Sequence, residues 1–332
     1  MTATNLSIIT NKSMSTVYPL IDTHTHFDDT VFDCDRALEA QRAYEKGVRH
    51  FVLVGYLHRH FERLNETEQL LNNLSQTAEF ESDEQKKQPK AHVALGLHPF
   101  YIDQHTETHL ADMAQMVSDS RPLAIGEIGL DTFTDAMKVP EVFAKQERFF
   151  TAQLDLAVRH QLPVMLHIRK AHAEALAILK AHEYNASQLG GIAHSFSGGE
   201  QEAKAFVKLG FKLGVTGQVT NPNAKKLRRA IQAAVESYGI GCLVIETDCP
   251  DMMPIMCQSS GDSQSSREND IDNRWHDKSS QSQPDHKRNV PANLPWVLAT
   301  LSELLEVPTA ELAEQLWKNS CDALQADWVY EE

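Results

Sequence analysis

Leu20-Ile21-Asp22-Thr23-His24-Thr25-His26-Phe27 sets a short apolar run against two histidines spaced two apart. Alternate side chains of an extended strand share a face. His24 and His26 therefore leave the end of such a strand side by side, where two imidazoles can chelate one metal ion. In a chain with 16 histidines the spacing also arises by chance. The pair gains meaning only if other strands bring further ligands to the same place, and that depends on the fold.

From Val17 onward, short apolar runs alternate with longer segments whose apolar residues recur at helical spacing, the pattern of repeated βα units. The runs are Pro19–His24, His50–Gly55, His92–Leu97, Leu123–Ile128, Pro163–Ile168, Gly191–Phe196, Phe211–Thr216 and Cys242–Thr247. Between them, residues 35–46, 59–80, 106–118, 142–160, 171–182, 200–209 and 224–237 read as helices, and 294–305 and 310–324 as closing helices. Several runs are apolar on both faces, as parallel strands covered on both sides require. Eight such units predict an α/β chain folded as a (β/α)8 TIM barrel, which needs roughly 250 residues. An open doubly wound sheet is the alternative, but no G-x-G-x-x-G follows the first strand.

Two stretches interrupt the alternation. Asp83–Lys90 is charged and Gln-rich. Gln258–His286 is rich in Ser, Asp, Gln and Asn and has no apolar period. The second predicts a disordered insertion of about 256–287 after the eighth strand, with Trp275 as its one possible anchor. A single barrel domain is expected over 17–325, preceded by a disordered tail over 1–16.

The net charge of −15 argues against a surface that coats nucleic acid duplexes broadly, while leaving room for a local basic groove. Cys34, Cys242, Cys249, Cys257 and Cys321 are odd in number and scattered, with no C-x-x-C pair. That argues against a disulfide framework and a thiolate zinc site, and favours a reducing, cytoplasmic compartment. No leader-like segment and no 18-residue apolar run is present, so neither secretion nor a membrane span is expected.

In a (β/α)8 barrel the C-terminal strand ends converge on one mouth. The first strand offers His24 and His26 there, the fourth Glu127, the fifth His167, the sixth His194 and the eighth Asp248. Any one of them alone reads as hydrogen-bonded packing. Burying six ionisable groups together without a metal would cost several kcal/mol apiece. Six donors exceed the needs of one tetrahedral ion, so two divalent ions are expected, with Glu127 as the candidate bridge and Asp248 as acceptor of a proton from the attacking water.

Other residues near the mouth carry weaker signals. His98, before Pro99, is placed either to bind a substrate phosphate or simply to fix its turn. Arg169 and His172 follow a ligand strand, where a guanidinium could clamp phosphate. Glu246 reads as a barrel-interior partner of the ligands. The basic run Lys225-Lys226-Leu227-Arg228-Arg229 reads as a solvated helix face rather than a nucleic-acid contact. Cys249 is set aside from the ligands, because neighbours on a strand point to opposite faces.

Seven stretches carry a family resemblance: His24-Thr25-His26, Gly96-Leu97-His98-Pro99, Gly126-Glu127-Ile128-Gly129-Leu130-Asp131, Gln153-Leu154-x-Leu156-Ala157, Leu162-Pro163-Val164-Met165-Leu166-His167-x-Arg169, His194-Ser195-Phe196-Ser197-Gly198 and Glu246-Thr247-Asp248-x-Pro250. In order and spacing they resemble the TatD family of metal-dependent hydrolases from about Leu20 to Leu324, and Arg169-Lys170-Ala171-His172 is most similar to its YjjV-type branch. The resemblance implies a two-metal TIM barrel with phosphodiesterase or deoxyribonuclease activity through a metal-activated hydroxide. By position it implies His24 and His26 on one ion with Asp248, His167 and His194 on the other, and Glu127 between them. Asp131-Thr132-Phe133-Thr134 departs from the family in lacking a tyrosine. Expected cofactors are two Zn, Mn or Mg ions, and the expected substrate is nucleic acid or a small phosphodiester, with no stable protein partner. Two other functions stay open: ester or amide hydrolysis, such as deacylation of an aminoacyl-tRNA, and a non-catalytic metal-binding barrel.

Overall fold

The computed structural model describes residues 16–81, 87–258 and 288–330. The tail expected over 1–16, the insertion of 256–287 with Trp275 and the charged stretch from Asp83 lie outside these residues, apart from their edges.

Eight parallel strands run in sequence order around one sheet: β1 Leu20–Thr25, β2 Val48–Val54, β3 Lys90–Leu95, β4 Ala124–Asp131, β5 Val164–Arg169, β6 Ile192–Ala193, β7 Lys212–Val215 and β8 Leu243–Ile245. The last strand meets the first through two backbone hydrogen bonds, Asp248 N–H to His24 O at 3.0 Å and His26 N–H to Cys249 O at 2.9 Å. The sheet thereby closes as a TIM barrel, as expected from the sequence. Around it lie α1 Arg36–Glu45, α2 Phe61–Glu81, α3 Glu107–Ser120, α4 Pro140–His160, α5 His172–Ala181, the short α6 Ala186–Leu189, α7 Glu200–Lys208, α8 Lys225–Tyr238, α9 Leu294–Leu305 and α10 Thr309–Leu324. None of these is long and apolar enough to cross a membrane.

Strand periodicity sorts the core into two layers. Phe51 and Leu53 of β2 point outward to the helices, where Phe61, Phe149, Phe150 and Phe206 are almost fully buried. Val52 and Val54 point inward and fill the bore with Ala94, Ala124, Met165, Ile192 and Val244. Below them the chain after α10 folds back over the N-terminal strand ends, with the Trp328 ring stacked 4.1 Å from that of His50. The lower bore is thus apolar and plugged. At the upper end the buried residues include His24, Glu127, His194, Glu246 and Asp248.

Three strands end at least two residues earlier than their sequence suggests. β3 was expected to reach Leu97, β6 Phe196 and β8 Thr247, but the regular strands end at Leu95, Ala193 and Ile245, with isolated bonds such as Phe196 N–H to Gly214 O at 3.0 Å beyond them. Ser195 and Asp248 adopt left-handed conformations, with φ of 41° and 53°. These uncommon conformations lie two residues past the end of β6 and three past the end of β8, where the chain turns into the loops of the mouth.

Candidate metal centre

The upper bore is built by six residues from five strands or the loops directly after them. His24 lies within β1 and His26 one residue past its end; Glu127 lies inside β4, His167 inside β5, His194 just after β6, and Asp248 three residues after β8. Two glycines make the room. A Cβ on Gly96 would come within 2.4 Å of the Glu127 backbone, and one on Gly214 within 2.3 Å of Glu246 Oε1.

Glu127 is the hub, with its two oxygens facing different histidines. Oε2 lies 3.4 Å from His24 Nε2 and 3.7 Å from His26 Nε2. Oε1 lies 2.7 Å from His167 Nδ1, 3.2 Å from His98 Nε2 and 3.7 Å from His194 Nε2. Asp248 spans the same gap, with Oδ1 3.8 Å from His26 Nε2 and Oδ2 3.6 Å from His194 Nε2. The His24 and His194 rings stack at 3.4 Å.

Two carboxylates behind the histidines complete the arrangement. Asp131 Oδ2 lies 3.1 Å from His167 Nε2, the ring edge opposite Glu127. Glu246 Oε1 lies 2.9 Å from His194 Nδ1 and accepts the Ser195 N–H at 2.6 Å. His167 and His194 are thus each held from behind by a carboxylate while the other nitrogen faces the centre, the usual arrangement around metal-binding imidazoles.

Burial and charge pull the protonation states apart. Burial opposes the charged form of His167, but Asp131 and Glu127 outweigh it and raise its pKa to about 9. Burial likewise opposes His194, which Glu246, Asp248 and Glu127 raise to about 10. His24 is driven down to about 3, first by burial and then by His194. Glu127 is held well below the usual carboxylate range by His98, His194 and His24 despite its burial. Burial pushes Asp248 up to about 7.

These residues fit a divalent ion. Both ring nitrogens of His24 are buried without a hydrogen-bond partner, which costs free energy unless something else engages them. Two donors on one ion, each about 2.1 Å from it, stand roughly 3–3.5 Å apart, close to the separations between Glu127 and His24, His26 and His98. Three overlapping trios could each hold a cation: His24, His26 and Glu127; His24, His194 and Asp248; and His98, Glu127 and His167.

All six residues expected as ligands converge, and His98 joins them. Its Nδ1 accepts the Phe100 N–H at 3.0 Å, so the other ring nitrogen, Nε2, is the one presented to the centre. Arg169 borders the cluster, its guanidinium 3.4 Å above the Phe133 ring. His172 stands apart, packed edge-on to Phe196 and Phe206 behind the β6 loop. Lys225, Lys226 and Arg229 form the exposed side of α8 and Leu227 its buried side. Cys249 does stay out of the ligand set, but strand alternation is not the reason. Asp248 itself is left-handed, so Cys249 follows a turn rather than a strand residue, and the buried thiol lies 2.8 Å from Thr25 Oγ1.

The sequence reading gave no role to Asp131, and its signal was parity: Glu127, Gly129 and Asp131 share one face of a strand that runs to Asp131 rather than stopping at Ile128. Asp22 was also passed over. It accepts hydrogen bonds from Thr247 N–H at 2.8 Å and Thr247 Oγ1 at 2.5 Å, pinning the chain beside Asp248.

Residues 21–325 match the family model described as TatD related DNase. The chain is 33% identical over 303 residues to the uncharacterized metal-dependent hydrolase YjjV of Escherichia coli K12, covering 90% of this chain and 95% of that one. It is 26% identical over 283 residues to the 3'-5' ssDNA/RNA exonuclease TatD of Salmonella typhimurium LT2, covering 85% and 90%. The crystal structure of YjjV from Escherichia coli K12 superposes with a TM-score of 0.70 at 30% identity, covering 93% of this chain and 98% of the other.

Proposed function

The chain belongs to the TatD-related DNase family, and on that premise we propose that it hydrolyses phosphodiester bonds of nucleic acid at a two-metal centre. The observation that carries this reading is Glu127, whose Oε2 faces His24 and His26 while Oε1 faces His98, His167 and His194. A carboxylate with distinct partners on each oxygen is suited to bridging two ions.

His24, His26 and Asp248 would hold one ion, His167 and His194 the other. Zn, Mn and Mg suit this mixed imidazole and carboxylate set. Bound there, such ions lower the pKa of water and stabilise charge developing on a phosphoryl oxygen. The chain's own residues supply the rest. Asp131 and Glu246 fix the rings of His167 and His194, so that the donors need no reorganisation on binding. Asp248, between His26 Nε2 at 3.8 Å and His194 Nε2 at 3.6 Å, is placed to take the proton of the attacking water. His98 Nε2 is placed to donate to the phosphate under attack, and the Arg169 guanidinium to a phosphate of the substrate farther out. His172 supports the β6 loop rather than the substrate.

The test is hydrolysis of single-stranded DNA, RNA and a carboxylic ester by one metal-loaded preparation, alongside Glu127→Ala and Asp248→Ala. Phosphodiester cleavage should dominate, and each variant should lose it by about 10³-fold or more while keeping its thermal midpoint. Undiminished cleavage in either variant defeats the mechanism. Ester hydrolysis faster than cleavage of either nucleic acid would favour acyl chemistry instead.

A further inference from the structure

The end of β4 uses one carboxylate for two purposes. Asp131 Oδ2 meets His167 Nε2 at 3.1 Å, while Oδ1 accepts the Phe133 N–H at 2.7 Å. The turn that follows is tied to the end of β5. Thr132 N–H donates to Arg169 O at 2.9 Å, and its hydroxyl donates to Lys170 O at 2.9 Å. Held at both ends, the turn lays the Phe133 ring flat beneath Arg169, whose Cζ is 3.4 Å from the ring centroid.

Arg169 follows His167 by two residues on β5 and pairs in register with Asp131. It therefore shares the strand face of that histidine and lies roughly 6–7 Å farther out. Among the described residues no acceptor is bonded to its guanidinium. Stacking on an aromatic face fixes the plane of an arginine and leaves all its donors free. A half-buried fork with unclaimed N–H groups is shaped for an oxyanion, which it can bind through two parallel hydrogen bonds.

We propose that Phe133 positions Arg169 as a second anion subsite, which takes a phosphate of the substrate adjacent to the one that is cleaved. Two strand residues of separation give about one nucleotide of reach. The subsite therefore favours a chain with at least two phosphates over a simple diester. Asp131 links the two sites, because the carboxylate that orients His167 also fixes the turn beneath Arg169. This inference rests on the phosphodiesterase reading for its ligand.

Binding and turnover test it separately, both on full-length, metal-loaded protein. The binding probe is a thymidine dinucleotide joined by an uncharged methylphosphonate, without a terminal phosphate or with one at either end. Calorimetry should show about tenfold tighter binding when one of the two ends carries phosphate. Phe133→Leu and Arg169→Lys should each abolish that gain, Phe133→Tyr should retain it, and the double variant should be no worse than either single one. In turnover of the corresponding natural dinucleotides the extra phosphate should lower KM at similar kcat, and Phe133→Leu should raise that KM alone. A terminal phosphate that adds nothing in the wild type, or a gain that survives Phe133→Leu at unchanged thermal midpoint, overturns the proposal. If no dinucleotide is cleaved, the phosphodiesterase reading fails, and the methylphosphonate binding still decides the subsite.

Discussion

Glu127 and the two carboxylates behind the histidines define the chemistry at the scale of single residues. Asp131 and Glu246 contact ring nitrogens turned away from the centre, so replacing them should leave the ligand set complete but poorly aimed. Asp131→Asn and Glu246→Gln are each expected to weaken metal affinity about 10–100-fold, measured by competition with a chromogenic chelator. Wild-type affinity in both would mean that the imidazoles are aimed by packing alone. The six candidate ligands were legible in the sequence because the family's motifs and the convergence of strand ends point to the same six residues. Their supporting carboxylates were not. Glu246 could be assigned only generally to the barrel interior, and Asp131 lay beyond the expected end of its strand.

At the scale of elements, the decisive piece is the chain after β8. Asp248 is held in a left-handed conformation by partners far away in sequence: Asp22 on Thr247, and Asn289, whose Nδ2 donates to Thr247 O while its backbone N–H donates to Pro250 O, both at 2.9 Å. Asn289→Ala removes one of these buried bonds and leaves a carbonyl unpaired, a loss of about 1–3 kcal/mol. Denaturant unfolding should show that loss, and metal binding should weaken with it. An unchanged midpoint would show that Asp22 alone holds the turn. Apolar runs revealed that eight strands exist and in what order, since burial on both faces writes itself into composition. They could not reveal that β6 and β8 stop after two and three residues. Left-handed residues follow at Ser195 and Asp248, two and three positions farther on, and neither is a glycine that would announce a turn.

For the whole molecule, the closed end of the barrel carries one share of the acid sensitivity. His50 and His92 share a 3.0 Å hydrogen bond beneath Trp328, and burial lowers their pKa values from 6.5 to about 3 and about 4. Unfolded, both take up protons near pH 6.5; folded, they resist until far lower. Their contribution is therefore complete above pH 6.5 and is lost as pH falls toward 4. Replacing His50 with Gln isolates this share. Between pH 7 and 5 the variant should lose less stability than the wild type, by up to about 2 kcal/mol. Equal losses would place the acid sensitivity elsewhere.

The central claim is that six side chains from distant parts of the sequence make one centre on which phosphodiester hydrolysis depends. Its most direct test is to strip the protein with chelator, add Mn2+ back stepwise, and follow cleavage of a labelled single-stranded DNA. The rate should be near zero in the stripped protein and rise to saturation at two ions per chain. A stripped protein that cleaves as fast as the reloaded one would contradict the claim.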